Sequence, residues 1–260
     1  MSQISVDTKL CKKDGACVAV CPAKIFSLNA EQYAEANDEA LCIFCGQCIA
    51  VCSADAIAHT GLPDEPFFPA ATEFPKPQMM DGFLKSRRSM RAFKPSPVSR
   101  ETIASLLDVA RRAPSAQNAQ KLHWMVITDA AKIHALAEET VNWIRAAGIA
   151  PDKVKVWDSG WDFVLRDAPT LVLACAPSDY MWAKEDAAIA LTYLELAAES
   201  RGLGACWAGY LTRISSVHAP LAQALALPEG YTLCGGLMLG EPKYKFRKVP
   251  PRKPLSVTWA

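Results

Sequence analysis

The sequence predicts an α+β protein in two parts: a small cysteine-rich domain over residues 1–60 and a larger mixed-sheet domain over 81–260, joined by a proline-rich linker over 61–80. Three observations predict this. Seven of the ten cysteines fall between Cys11 and Cys52, on short stretches with little periodicity. Pro63, Pro66, Pro69, Pro75 and Pro77 then crowd a segment that can continue neither a helix nor a central strand. Beyond it, helical and strand patterns alternate, as expected of an α+β or α/β domain with a mixed sheet.

Composition sets the limits. The 260 residues are 51% apolar, enough for a buried core, and the formal net charge is +1. A near-neutral chain has no broad electrostatic attraction for polyanions, so nucleic acid is not an expected partner. The start, Met1 to Asp7, lacks the basic, apolar and small-residue order of a signal peptide. The longest apolar runs, such as Thr170 to Ala176, are too short to cross a bilayer, so no membrane partner is expected. The expected location is the cytoplasm, where thiols stay reduced and clustered cysteines read as metal ligands rather than disulfides.

In the second domain, Ile103, Leu106, Leu107 and Ala110 recur at helical spacing, with Ser99 as N-cap and Pro114 as stop. Leu122–Thr128, Thr170–Ala176, Cys206–Leu211 and Thr232–Leu239 read as buried strands. Glu185–Ser200 is apolar on nearly every side, which marks a helix central to a core or a subunit interface. Cys175, Cys206 and Cys234 lie in apolar strands and read as core thiols. His123 reads as a satisfied core histidine, and His59, His134 and His218 are isolated. Trp143, Trp157 and Trp161 fall in a stretch from Lys132 to Arg166 that carries no motif.

Cys42, Cys45, Cys48 and Cys52 have the spacing C-x2-C-x2-C-x3-C, and Cys11, Cys17, Cys21 and Pro22 partly echo it. Such a run lets consecutive sulfurs converge on one iron–sulfur cube, whereas zinc sites use paired x2 spacings separated by a longer loop. Residues 5–58 resemble a bacterial-type two-cluster ferredoxin, with Asp14 in place of a cysteine and Ser53 where a second proline is usual. The resemblance implies one [4Fe–4S] cluster on Cys42, Cys45, Cys48 and Cys21. It implies a second, [4Fe–4S] or [3Fe–4S], on Cys11, Cys17 and Cys52, with Asp14 as the candidate fourth ligand. A carboxylate is a harder donor than a thiolate and holds that iron less firmly.

The second domain opens on Arg87-Arg88-Ser89-Met90-Arg91, a concentration of forked guanidinium donors and a hydroxyl that suits a phosphate monoester. With Ala113 to Gln120, Gly202 to Trp207 and the tail Pro250 to Pro254, this run resembles the FMN-dependent nitroreductase family over residues 82–260. Lys121 and Leu122 depart from the Pro and Trp common there. The resemblance implies that Arg87, Ser89 and Arg252 hold the FMN phosphate and that Arg91 reaches the polar edge of the ring; Arg88 stands where the family varies and is added as a further cofactor-binding candidate. It implies that Pro114, Ser115, Ala116 and Asn118 touch the flavin bound by a partner subunit, in a homodimer. Trp207, Ala208 and Gly209 then run beside the ring.

Clusters pass single electrons and a flavin takes one or two, so the combination implies an FMN-dependent oxidoreductase in which the clusters relay electrons to or from FMN. The expected substrate is a small electron-poor molecule such as a nitroaromatic or quinone, and the expected donor is ferredoxin or NAD(P)H. No G-x-G-x-x-G follows a strand, so NAD(P)H would meet the flavin face rather than a Rossmann site. No catalytic triad or acid–base pair stands out, and no catalytic residue is assigned. The alternatives are an electron-transfer flavoprotein passing electrons between ferredoxin-type donors and a protein partner, and a flavin-sensing or flavin-modifying protein.

Overall fold

The structure is a computed structural model that describes residues 3–260. The chain divides into two compact units, one running to Phe74 together with Gln117–Ala119, the other comprising Pro75–Ala116 and Gln120–Ala260. No described helix is long and apolar enough to cross a membrane.

The first unit contains β1 (Ile4–Val6), α1 (Ala16–Val20), β2 (Phe26–Leu28), β3 (Ala34–Ala36), α2 (Gln47–Val51) and β4 (Ile57–His59). β1 pairs antiparallel with β4, and β2 with β3. Its buried core is small, formed by Ile4, Cys17, Cys21, Ile25, Phe26, Ala34 and Ile57. The doubled cysteine pattern is a doubled backbone. Gly15 and Gly46, both at φ 68, precede α1 and α2, and Cys21 and Cys52, both at φ −71, follow them. Lys13 and Phe44, like Lys24 and Asp55, repeat a left-handed turn at the same spacing along the chain.

The second unit contains α3 (Pro77–Ser86), α4 (Arg100–Ala110), β5 (His123–Ile127), α5 (Ala130–Ala146), α6 (Pro151–Asp158) and β6 (Thr170–Pro177). It continues with α7 (Ala183–Ser200), β7 (Gly204–Trp207), α8 (Gly209–Ser215), α9 (Ala219–Leu225) and β8 (Tyr231–Gly240). α3 occupies the end of the expected linker, because Pro77 stands at the first helical turn, where its missing N–H costs nothing. Ser99 caps α4 as expected, its side chain accepting from the Thr102 amide.

The strands form one sheet in the order β5-β6-β8-β7, with every ladder antiparallel. Parallel pairing enters through the bridge between Ser89 and Ala205. Alternate residues of β6 serve two cores: Leu171 and Leu173 pack with α5, α8 and α9, while Val172, Ala174 and Ala176 pack with α4 and α7. Helices on both faces explain why this antiparallel strand reads as a continuous apolar run.

Two expectations change, the end of one strand and the place of His123. The strand expected over Cys206–Leu211 ends at Trp207, and Gly209 begins α8. A short apolar run cannot distinguish strand from helix. α7 packs on the core with nine buried residues and leaves Ile189 and Tyr193 exposed on one side of the single chain. His123 is exposed, edge-on to Tyr231 at 6.0 Å, rather than in the core. Trp143 and Trp157 pack on the core, while Trp161 is exposed beneath Arg166. Cys175, Cys206 and Cys234 are buried free thiols, and burial pushes Cys175 up to about 11.

The bridge at Ser89 depends on Gly204. The Met90 amide donates to the Ala205 carbonyl at 2.8 Å. A Cβ on Gly204 would lie 2.7 Å from Met90 Cβ and Cγ, and Cβ cannot move without the backbone. Gly204→Ala is therefore expected to cost about 1–3 kcal/mol, the usual penalty of overpacking, read as a lowered urea midpoint at unchanged slope.

Candidate functional site

The expected cluster ligands gather in two groups within the first unit. Cys11, Asp14, Cys17 and Cys52 line one cavity, together with Leu28, Ala34 and Ile57. Burial pushes the Cys17 thiol up, and the neighbouring Cys11 and Asp14 add to it. Asp14 Oδ1 accepts from the Ala16 amide at 3.0 Å, which sets its carboxylate at the start of α1. Cys42, Cys45 and Cys48 form the second group. Burial raises Cys48 first, and the nearby Cys45 and Cys42 raise it further. Cys21 is buried in the apolar cluster that also holds Cys17, Cys42, Cys48 and Cys52, so this packing does not by itself assign it to either group.

Acidic groups crowded in this way against apolar residues call for a cation. Among the described residues no three His, Cys, Asp or Glu side chains converge closely enough to hold a single metal ion. An iron–sulfur cube makes no such demand, because each thiolate binds a separate iron corner. The donor set therefore fits clusters. Backbone amides reinforce it: Phe44 N donates to Cys42 Sγ at 3.4 Å and Ala56 N to Cys52 Sγ at 3.3 Å.

In the second unit the arginine run leaves the end of α3 and meets β7. Arg87 Nη1 donates to Glu195 Oε1 of α7 at 2.8 Å. Arg88 Nη2 reaches only the Lys85 carbonyl at 3.3 Å, and its Nε is buried without a hydrogen-bond partner. A buried unpaired guanidinium nitrogen is a costly donor that an anion can satisfy. The Ser89 hydroxyl and the Arg91 guanidinium both bear on Cys206 of β7.

Sequence reasoning missed Arg166. It stands beside Arg91 and Cys206 and lies over the Trp161 ring at 4.6 Å. Burial lowers its pKa, and the like charge of Arg91 adds to the effect. The turn that presents it is built by buried Asp162, whose carboxylate accepts from the amides of Val164, Leu165 and Asp167. Arg166 and Asp167 are both left-handed, at φ 61 and φ 50. A buried Asp before an Arg-Asp-Ala-Pro sequence was the available signal.

The remaining expected residues are distributed as follows. Gln120 N donates to Ser115 Oγ at 3.1 Å, and Ala116 N to buried Asp186 Oδ1 at 3.0 Å. Asp186 also accepts from Tyr180 at 2.6 Å, and burial followed by this bond raises Tyr180 to about 12. Pro114 opens this loop, in which Gln117, Asn118 and Gln120 are all left-handed. Asn118 Nδ2 donates to the carbonyls of Ile43 and Phe44 at 3.2 and 3.0 Å. Trp207 is exposed, Ala208 is buried with its amide on the Gly236 carbonyl, and the space beside Gly209 is open. Arg252 lies in the exposed, irregular segment beyond β8. The unpaired Arg88 Nε, the cationic edge of β7 and the open face at Gly209 fit a phosphorylated planar cofactor.

A sequence profile of the nitroreductase family matches residues 84–241, and a profile of the 4Fe-4S dicluster domain matches residues 3–53. A protein of Archaeoglobus fulgidus, named provisionally as an NADH dehydrogenase/NAD(P)H nitroreductase, is 28% identical over 62% of this chain and 83% of its own length. A 4-nitrobenzoate reductase of a Nocardioides species is 24% identical over 64% of this chain and 81% of its own. The crystal structure of a nitroreductase with bound FMN from Bacteroides fragilis shares the fold, with TM-score 0.57 and 22% identity, across 68% of this chain and 97% of that one.

The Arg87–Glu195 pair is testable through pH. Burial raises Glu195, and Arg87 opposes that rise. A carboxyl held above its ordinary range favours folding while protonated, and that contribution is lost as pH rises through the raised value. Removing Arg87 lifts Glu195 further. Arg87→Ala is expected to lose about 3 kcal/mol at neutral pH, with the deficit shrinking as pH falls into the carboxylate range. Urea denaturation across pH checks this, and a pH-independent deficit would assign the loss to packing.

Proposed function

Because this chain belongs to the nitroreductase family of FMN-dependent oxidoreductases and carries a 4Fe-4S dicluster domain, we propose that its clusters relay electrons to or from FMN. The acceptor is a small electron-poor molecule such as a nitroaromatic or quinone. The observation that carries this reading is the pairing, on one chain, of a duplicated set of cysteine loops with an arginine run whose buried Arg88 Nε has no partner. The similarity to a 4-nitrobenzoate reductase supports an aromatic nitro acceptor.

Bound FMN would supply the step between one-electron and two-electron chemistry. The protein's part is binding and electrostatics. Arg87, Arg88, Ser89 and Arg252 hold the phosphate, and Arg91 places positive charge near the ring edge. Pro114, Ser115, Ala116 and Asn118 form the loop that meets the flavin of a second subunit, with Trp207, Ala208 and Gly209 beside the ring. Cys21, Cys42, Cys45 and Cys48 hold a [4Fe–4S] cluster. Cys11, Cys17 and Cys52, with Asp14 as fourth candidate, hold a [4Fe–4S] or [3Fe–4S] cluster. The domain division falls at residues 61–80, and the cytoplasm keeps the thiols reduced.

A homodimer is supported by apolar surface that one chain leaves uncovered. Ile189 and Tyr193 on α7 are exposed, as are Tyr244, Phe246, Leu255 and Trp259 in the C-terminal segment. Patches of this kind mark association sites. Light scattering at micromolar concentration is expected to give twice the 28.2 kDa chain mass, and a monomer would count against the shared flavin site.

Anaerobic titration with NADH, NADPH and reduced ferredoxin tests the relay, following flavin and cluster absorbance together. Full bleaching by one of these donors, then reoxidation by a nitroaromatic or quinone, is the expected outcome. A reduced flavin that no small acceptor reoxidises would favour electron transfer to a protein partner instead.

A further inference from the structure

His59 ends β4 close to the Cys42 sulfur. Its Nε2 lies 3.4 Å from Cys42 Sγ, and its Nδ1 accepts from the Gly61 amide at 3.0 Å. In a neutral imidazole the nitrogen that accepts carries no proton, so the proton sits on Nε2 and points at the sulfur. Two neighbours hold the ring there. Phe44 packs against it at 5.4 Å between centroids. Gly61 brings the backbone so close that a Cβ would lie 3.0 Å from His59 Cε1 and 2.7 Å from Phe44 Cε1.

The duplicated backbone supplies an internal comparison. At the corresponding end of β2 stands Leu28, which lines the cavity of Cys11, Asp14, Cys17 and Cys52 and offers no donor. Cys42 Sγ receives the Phe44 amide and, in addition, the imidazole. The two cysteine groups therefore differ in what touches their sulfurs, within one fold.

We propose that His59 is a hydrogen-bond donor to the Cys42 ligand that raises the reduction potential of the cluster on Cys42, Cys45 and Cys48 and so sets it apart from the other. The physical basis is simple. In a bound cluster an added electron would raise the negative charge on its sulfurs, and a fixed His59 N–H dipole aimed at Cys42 Sγ would stabilise the reduced form more than the oxidised form. No proton moves in this step. The proposal rests on the reading of this site as a [4Fe–4S] cluster.

The test is a potentiometric titration of the full-length protein followed by EPR, with iron content measured on each sample. His59→Phe keeps a ring against Phe44 but removes the donor, whereas His59→Gln keeps an N–H donor. In His59→Phe one of the two cluster midpoints is expected to fall, by about tenfold in the reduction equilibrium or 59 mV for a one-electron couple. The other midpoint should stay in place, and His59→Gln should recover part of the fall. An unchanged midpoint in His59→Phe with full iron content overturns the proposal. Equal shifts in both variants overturn it too, as does loss of iron from both, because His59 would then serve only to pack the loop. A wild-type protein with full iron but no EPR signal of a reduced [4Fe–4S] cluster is a different result: the cluster reading itself fails, and the proposal falls with it.

Discussion

The larger unit depends on the pairing of β6 with β8. Both strands are almost entirely buried, so their backbone groups have no water to fall back on and must satisfy one another. With that ladder closed, alternate side chains supply two separate cores, and helices must cover both faces. β7 joins the far side of β8, and the Arg87–Arg91 run is fixed because it bridges to β7. The guanidinium groups of this run are thereby attached to the central sheet rather than to a free loop.

The smaller unit obeys a different constraint. Seven described residues form its main buried cluster, and two of them, Cys17 and Cys21, are expected ligands. Strands of three residues and helices of five bury too little apolar surface to hold themselves together. Small domains of this kind rely on metal ligation for stability, so binding and folding are one free-energy change. The raised pKa directions of Cys17 and Cys48 agree: burial first, and the neighbouring acidic groups after it, disfavour the thiolate form that a cationic iron centre would stabilise.

Much of this was legible in the sequence where a local signal coincided with burial. The apolar runs of β6 and β8, the Ser99 cap and the grouping of the cysteines were readable because spacing alone carries them. The end of β7 was not, because Cys206 to Leu211 stays apolar while the backbone turns, and only the Ala208 amide on the Gly236 carbonyl marks the change. Arg166 escaped notice because its neighbour Arg91 is distant along the chain. His59 looked isolated for the same reason: Cys42 lies 17 residues away, and they meet only because β4 returns beside the cysteine loop. The exposed stripe of α7 was hidden by composition, since alanine and isoleucine look equally apolar whichever way they face.

The repeated backbone of the first unit has an evolutionary consequence. Its two halves share several left-handed positions, while Asp14 corresponds to Cys45 and Leu28 to His59 along the repeat. The two halves also differ in backbone, since the short 3-10 turn at Glu39–Leu41 and the left-handed Gln32 have no counterpart in the other half. A duplicated cage of this sort lets one copy keep its original chemistry while the other drifts, one substitution at a time.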